Sequence, residues 1–239
     1  MSFSNKLVRL YFDLVYNSVY DLTTARLTAY RRWQQDCLSK LRFEDGDAVL
    51  CVGVGTGNEI PYIWDGHRDI AVVGVDSSAR ALRKAYHKGR RQGREIKVLK
   101  MEAQELRYPA ESFDKAICLH VMDFIEDHEK ATAEIIRVLR DGGHFVITYP
   151  LGREGVNLGI NLLRYGFQEN IRSRKYGRAL GELLGQAGLA ALYLPLVLRA
   201  KQKSYSCRDL EGMFGRLNLA HFQIEEYPRY RDLIVYGEK

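Results

Sequence analysis

The segment Gly53-Val54-Gly55-Thr56-Gly57 follows the short apolar run Ala48–Val52 and precedes a helix-like stretch. Glycines at alternate positions let a chain turn tightly and bring its backbone against a ligand. The helix that follows offers unpaired N–H groups at its start. About 20 residues further on, Asp76 ends a second apolar run, Ile70–Val75, where an acid can accept hydrogen bonds from ribose hydroxyls. The dinucleotide fingerprint would need glycine or alanine at the next position, and Asn58 stands there instead. The plainer alternative is a tight turn plus a surface aspartate. It explains less, because loop and acid both fall at the carboxyl ends of successive strands, where open α/β sheets bind ligands.

Proton chemistry has fewer candidates. His120 follows a fourth apolar segment, Phe113–Leu119, and an imidazole can accept a proton near neutral pH. It is the best candidate base, with a packing role as the alternative. Asp123 could orient His120 or bind a ligand; more simply, it caps the next helix together with Asp127. Tyr11, Tyr16 and Tyr20 form a stripe near the N-terminus, with Tyr20 facing the site and the others packing. His144 opens a strand and His128 starts an exposed helix, so neither suggests a metal. Cys37, Cys51, Cys118 and Cys207 are scattered and form no CxxC pair. Such usage fits a reduced, cytoplasmic protein without structural zinc.

These residues need elements to position them. Apolar runs at Ala48–Val52, Ile70–Val75, Ile96–Leu99, Phe113–Leu119 and His144–Thr148 read as strands. Ser77–Gln92 and Glu126–Leu139 read as helices between them. That alternation predicts an α/β fold, a parallel sheet covered on both faces. Residues 5–42 have helical spacing, with Asp21 or Thr23 as a cap. Cys207–Phe214 reads as a helix, and Ala220–Glu226 and Arg231–Tyr236 as closing strands.

In this order the motifs resemble those of class I S-adenosylmethionine (SAM)-dependent methyltransferases. Val49–Gly57 is similar to their first motif and Val72–Ser78 to their acidic loop. Met101–Leu106 with Ser112–Asp114 resembles the adenine-side motif, and Ile135–Gly143 the turn into strand five. The resemblance covers roughly residues 45–150 and the closing strands. It implies a Rossmann-like, doubly wound, seven-stranded, mostly parallel sheet. Around it would lie an N-terminal helical cover (1–44), a core (45–150), a helical insertion after strand five (151–205) and a closing segment (206–239). It also implies that Gly53, Gly55 and Gly57 hold the methionine part of SAM and Asp76 the ribose. Ser77, Glu102 and Ala103 would flank the adenine, and Leu119 and His120 would lie beside the donor. The Phe12-Asp13…Tyr20-Asp21 spacing resembles the cover of quinone- and phospholipid-type methyltransferases, which makes Tyr20 a donor contact. Cys51 departs from the family, which has Asp or Glu there to recognise the donor's amino group; Glu59 is an alternative acid.

The remaining features bear on the methyl acceptor. The net charge of +6 favours anionic partners. Residues 150–205 combine apolar stretches with Arg164, Arg172, Arg174, Lys175, Arg178, Arg199, Lys201 and Lys203. That pattern suits an anionic membrane surface, a phosphate- or carboxylate-bearing substrate, or a solvated lid. The longest apolar run, Ala187–Leu198, is too short to span a bilayer, which needs roughly 20 residues. The reading reached is transfer of methyl from SAM to a small apolar or amphipathic acceptor. An RNA methyltransferase and a SAM-binding scaffold without activity stay open; nucleic acid is disfavoured because Leu119-His120-Val121-Met122 carries no Asn-Pro-Pro-Tyr-like motif.

Overall fold

The computed structural model describes residues 11, 15, 17–25, 27–151, 171–172, 176–197, 204–227 and 232–239. Two helices, α1 (Asn17–Thr24) and α2 (Thr28–Leu38), lead into β1 (Ala48–Val52). A short α3 (Ile60–Ile63), β2 (Ala71–Asp76), α4 (Ala79–Arg91), β3 (Ile96–Lys100) and β4 (Phe113–Cys118) follow. The chain continues through α5 (His128–Val138), β5 (Leu139–Pro150), α6 (Tyr176–Val197), α7 (Cys207–Phe214), β6 (His221–Tyr227) and β7 (Asp232–Glu238). The strands form one seven-stranded sheet in the order β3-β2-β1-β4-β5-β7-β6. The first five are parallel, and β7 runs antiparallel between β5 and β6.

Central strand β1 is a continuous apolar run because both of its faces are covered, whereas edge strand β6 alternates exposed and half-buried residues. Successive residues serve opposite layers. Val49 and Cys51 pack with Trp33 and Cys37 of α2 and Ala85 of α4. Leu50 and Val52 pack with Ile135 of α5 and Phe214 of α7. Chain order reverses between β1 and β4, and ligands bind outside the carboxyl ends of strands at such a point.

Local signals account for three of the helix starts. Ser78 caps α4 by accepting from the Ala81 amide at 3.1 Å. Asp127 caps α5 through the Lys130 amide, as expected, whereas Asp123 does not. Ser206 and Asp209 form a capping box on α7. Neither Asp21 nor Thr23 caps α2; Leu27 occupies that place with no side-chain bond. Asp21 is instead engaged with Thr56, and the Thr23 hydroxyl donates to the Tyr20 carbonyl. His128 is also not exposed. It is buried, with Nε2 bonded to the Ile125 carbonyl at 2.9 Å and Nδ1 accepting from the Tyr205 hydroxyl at 2.7 Å.

The expected turn before strand five lies inside it. Pairing with β4 slips from Phe113↔Leu139 to Lys115↔His144, a bulge that Gly142 allows by taking φ +76°. The insertion contributes α6, which packs against α1. A Cβ on Gly188 would lie 2.6 Å from Thr23 Cγ2, so glycine sets how closely the helices approach. The expected apolar segment after Ala187 continues this helix. No helix among the described residues is long and apolar enough to cross a membrane.

Candidate functional site

The glycine loop turns through three left-handed residues, Gly53 (φ +66°), Gly55 (+52°) and Gly57 (+75°). A Cβ on Gly53 would lie 2.3 Å from Val121 Cγ2, and one on Gly57 would lie 2.4 Å from Ile60 Cδ1. Only glycine meets both demands. Asp76, at the end of β2, locks the loop. Its Oδ2 accepts from the Gly55 amide at 2.9 Å and its Oδ1 from the Ser78 amide at 2.7 Å.

Helix α1 closes over this loop. The Asn17 side-chain amide donates to Ser78 Oγ at 3.0 Å. The Thr56 hydroxyl donates to Asp21 Oδ1 at 2.5 Å, and Lys88 reaches Asn58 Oδ1 at 2.5 Å and Asp21 at 3.4 Å. The Tyr20 and Tyr30 hydroxyls share a hydrogen bond of 2.7 Å. Below them stands Glu59, facing the cavity. Burial, with the negative charges of Asp76 and Asp21, raises its pKa from 4.5 to about 7, against its own amide and Lys88.

His120 sits in the left-handed region at φ +55°, held by its amide donating to Thr148 Oγ1 at 2.9 Å. Its ring lies flat on Trp33, with centroids 4.0 Å apart and planes 13° apart. Nε2 meets Asp232 Oδ2 at 2.6 Å. Burial disfavours the imidazolium, but the charge and hydrogen bond of Asp232, helped by Asp123, outweigh it and raise the His120 pKa. The Asp123 pKa is raised as well. Burial, with Asp232 adding, lifts it to about 6.

The structure brings Tyr20, Gly53, Gly55, Asp76, Ser77, Glu102, Ala103, Leu119 and His120 to the wall of one cavity. Gly57 does not line it; it shapes the turn behind. Tyr11 is half-buried, and Phe12, Asp13 and Tyr16 lie outside the described residues. So do Arg164, Arg174, Lys175, Arg199, Lys201 and Lys203 of the basic insertion. Sequence reasoning missed Asn17, Tyr30, Gln34 and Asp232. Gln34 had a legible signal: it occupies a buried position in the helical series Tyr30, Trp33, Gln34, Cys37, Leu38, where an apolar residue is the norm.

The chain is similar in sequence and in fold to known methyltransferases. Residues 50–147 match the family described as "Methyltransferase domain". The phosphatidylethanolamine N-methyltransferase of Cereibacter sphaeroides is 38% identical over 111 residues, covering 46% of this chain and 53% of that protein. The demethylmenaquinone methyltransferase of Thermobifida fusca is 26% identical over 185 residues, covering 72% and 78%. Apart from matches of that length, the chain spans about half of each curated relative it resembles. Among solved structures, Haemonchus contortus phosphoethanolamine N-methyltransferase 2 in complex with SAM superposes with a TM-score of 0.58 at 19% identity, over 84% of this chain and 40% of that one. At that identity the likeness is one of fold.

Proposed function

We propose, from the premise that residues 50–147 place this chain among the class I SAM-dependent methyltransferases, that it methylates a small amphipathic acceptor of lipid or quinone type. The observation that carries this reading is the cavity at the carboxyl ends of β1, β2 and β4. A glycine cradle and Asp76 form one wall, and His120, Tyr20 and Tyr30 form the other.

The residues present fit SAM. The cradle at Gly53 admits no side chain, and Asp76 offers a carboxylate already fixed by two amides. Asp76 would hold the ribose, and Ser77, Glu102 and Ala103 would flank the adenine. When bound, the donor supplies a methyl group already activated on a sulfonium, so the protein's task is alignment. Tyr20 and Tyr30, joined through their hydroxyls, line the cavity on the side of α1 and α2. His120, braced by Trp33 and Asp232, stands where an acceptor proton can be taken up at its imidazole.

The acceptor class draws support from α6. Tyr176, Leu180, Leu183, Leu184, Ala187 and Ala191 recur at helical spacing and are all exposed, as is Leu22 of α1. Contiguous exposed apolar residues mark an interaction surface. With Arg172 and Arg178 also exposed and a net charge of +6, the fitting occupant is an anionic lipid surface. Incubation with methyl-labelled SAM and lipid extracts should give a labelled product in the organic phase. Failure to label any small-molecule pool, with SAM binding intact, would replace this reading with that of a non-catalytic SAM-binding protein.

A further inference from the structure

SAM carries an ammonium at its methionine end, and that charge needs an anionic partner where the cavity passes the glycine loop. β1 supplies none: its third buried position is the thiol of Cys51, which burial, with the charge of Glu59 adding, holds well above the usual thiol range. Asp76 faces the same cavity, but on the donor reading its carboxylate serves the ribose, beside the two amides it already holds. Asp21 is tied to Thr56 and Lys88.

Glu59 is different. It lines the cavity just past Gly57, and the hydrogen bond that supports its charge comes from its own amide. The cation of this neighbourhood, Lys88, points its ammonium to Asn58 at 2.5 Å and Asp21 at 3.4 Å. The charged groups acting on Glu59 are therefore Lys88, which favours its ionised form, and Asp76 and Asp21, which oppose it; burial opposes it most. A carboxyl so placed is incomplete without a ligand cation.

We infer that Glu59 is the specificity residue for the donor's amino-acid end, its carboxylate pairing with the ammonium of SAM in place of an acid on β1. The inference rests on the donor reading given above. It makes a distinctive demand: adenosine compounds that lack the amino acid must not depend on Glu59. It also makes SAM binding dependent on ionising Glu59, so affinity rises with pH as that proton is lost.

The test is calorimetry on the full chain with SAM and with 5′-methylthioadenosine, which keeps adenosine and sulfur but has no ammonium. Glu59→Gln should weaken SAM at least tenfold at pH 7.5 and leave methylthioadenosine within twofold. Glu59→Asp should fall between. Wild-type affinity for SAM should rise between pH 6 and 7.5, and that of Glu59→Gln should stay flat. Equal SAM affinity in wild type and Glu59→Gln overturns the inference. So does an equal loss for both ligands, which would mark Glu59 as a shaper of the loop. If the wild type does not bind SAM, with or without binding of methylthioadenosine, the donor reading itself fails and this inference falls with it; SAM binding that is indifferent to Glu59 sinks only the inference.

Discussion

Asp76 Oδ2 accepts the amide hydrogen of Gly55 at 2.9 Å, so the acid that ends β2 fixes the loop that ends β1. The two residues form a single device. Asp76→Ala removes the anchor of the loop and, on the proposed reading, a charged acceptor for the ribose. Donor affinity should fall by about 1–3 kcal/mol, the usual cost of losing charge-assisted hydrogen bonds. Asp76→Asn keeps one acceptor oxygen and should lose less. Calorimetry with SAM checks both; unchanged affinity in Asp76→Ala would mean the pocket lies elsewhere.

The cradle makes a stability prediction that involves no ligand. Gly57→Ala adds a Cβ at φ +75°, 2.4 Å from Ile60 Cδ1 and 3.1 Å from Ala85 Cβ. Left-handed strain costs roughly 1–2 kcal/mol and overpacking ~1–3 kcal/mol. Gly66→Ala shares a positive φ, +80°, but its Cβ would meet nothing within 4 Å. Urea denaturation should show Gly57→Ala as the more destabilised by the overpacking amount. Equal losses would argue that the packing behind the loop is loose.

The apolar stripe on α6 makes a prediction separable from catalysis. Leu180→Asp with Leu184→Asp should leave thermal stability nearly unchanged, since both side chains are more than half exposed (57% and 59%). Cosedimentation with vesicles containing anionic lipid should drop at least fivefold, as buried apolar area is lost and negative charge is added. Undiminished vesicle binding would reassign the stripe.

How much of this was legible in the sequence follows from the range of each interaction. The glycine loop, Asp76 and the strand alternation are local patterns, so they could be read directly. The pair Asp232 and His120 is separated by 112 positions and comes together because β7 inserts beside β5, where Asp232 opposes Pro150. No periodicity announces that register. Nor does a sequence reveal that Trp33 lies beneath the His120 ring. The apolar residues of α6 were visible as apolar, but burial of one face and exposure of the other depends on which side meets α1. Leu27 at a helix start shows the reverse case: packing at 1% exposure prevailed where a polar cap was expected.

The His120–Asp232 pair predicts a pH profile. Asp232 helps raise the His120 pKa above its ordinary 6.5, so the neutral base is populated only above that value. If His120 takes up the acceptor proton, kcat should rise with pH through that raised value. Asp232→Asn removes the charge, moves the inflection down, and raises the relative rate near pH 6. His120→Ala should reduce kcat about 10²-fold or more and flatten the profile, with SAM affinity nearly kept. A profile that persists in His120→Ala would assign the titration to another group, such as Asp123, which burial lifts to about 6.

Glu59 predicts a conflict between stability and binding. Its pKa rises from 4.5 to about 7 on folding, with burial the main cause. Between those values the folded chain holds a proton that the unfolded chain has released, so stability falls as pH rises through the window. Below about pH 4.5 both states are protonated and the effect vanishes. Each pKa unit corresponds to about 1.4 kcal/mol, and partial access to solvent through the cavity mouth reduces the total to on the order of 1–3 kcal/mol. Without donor, Glu59→Gln should therefore be more stable than wild type at pH 8 by that amount and indistinguishable at pH 4.5. Thermal unfolding at both values is the check. Saturating SAM should erase or reverse the difference at pH 7.5, because the ligand then favours the ionised carboxylate of the wild type. If Glu59→Gln were less stable than wild type at pH 8, the carboxylate would be making a favourable internal contact, and its role as a group awaiting a ligand would be lost.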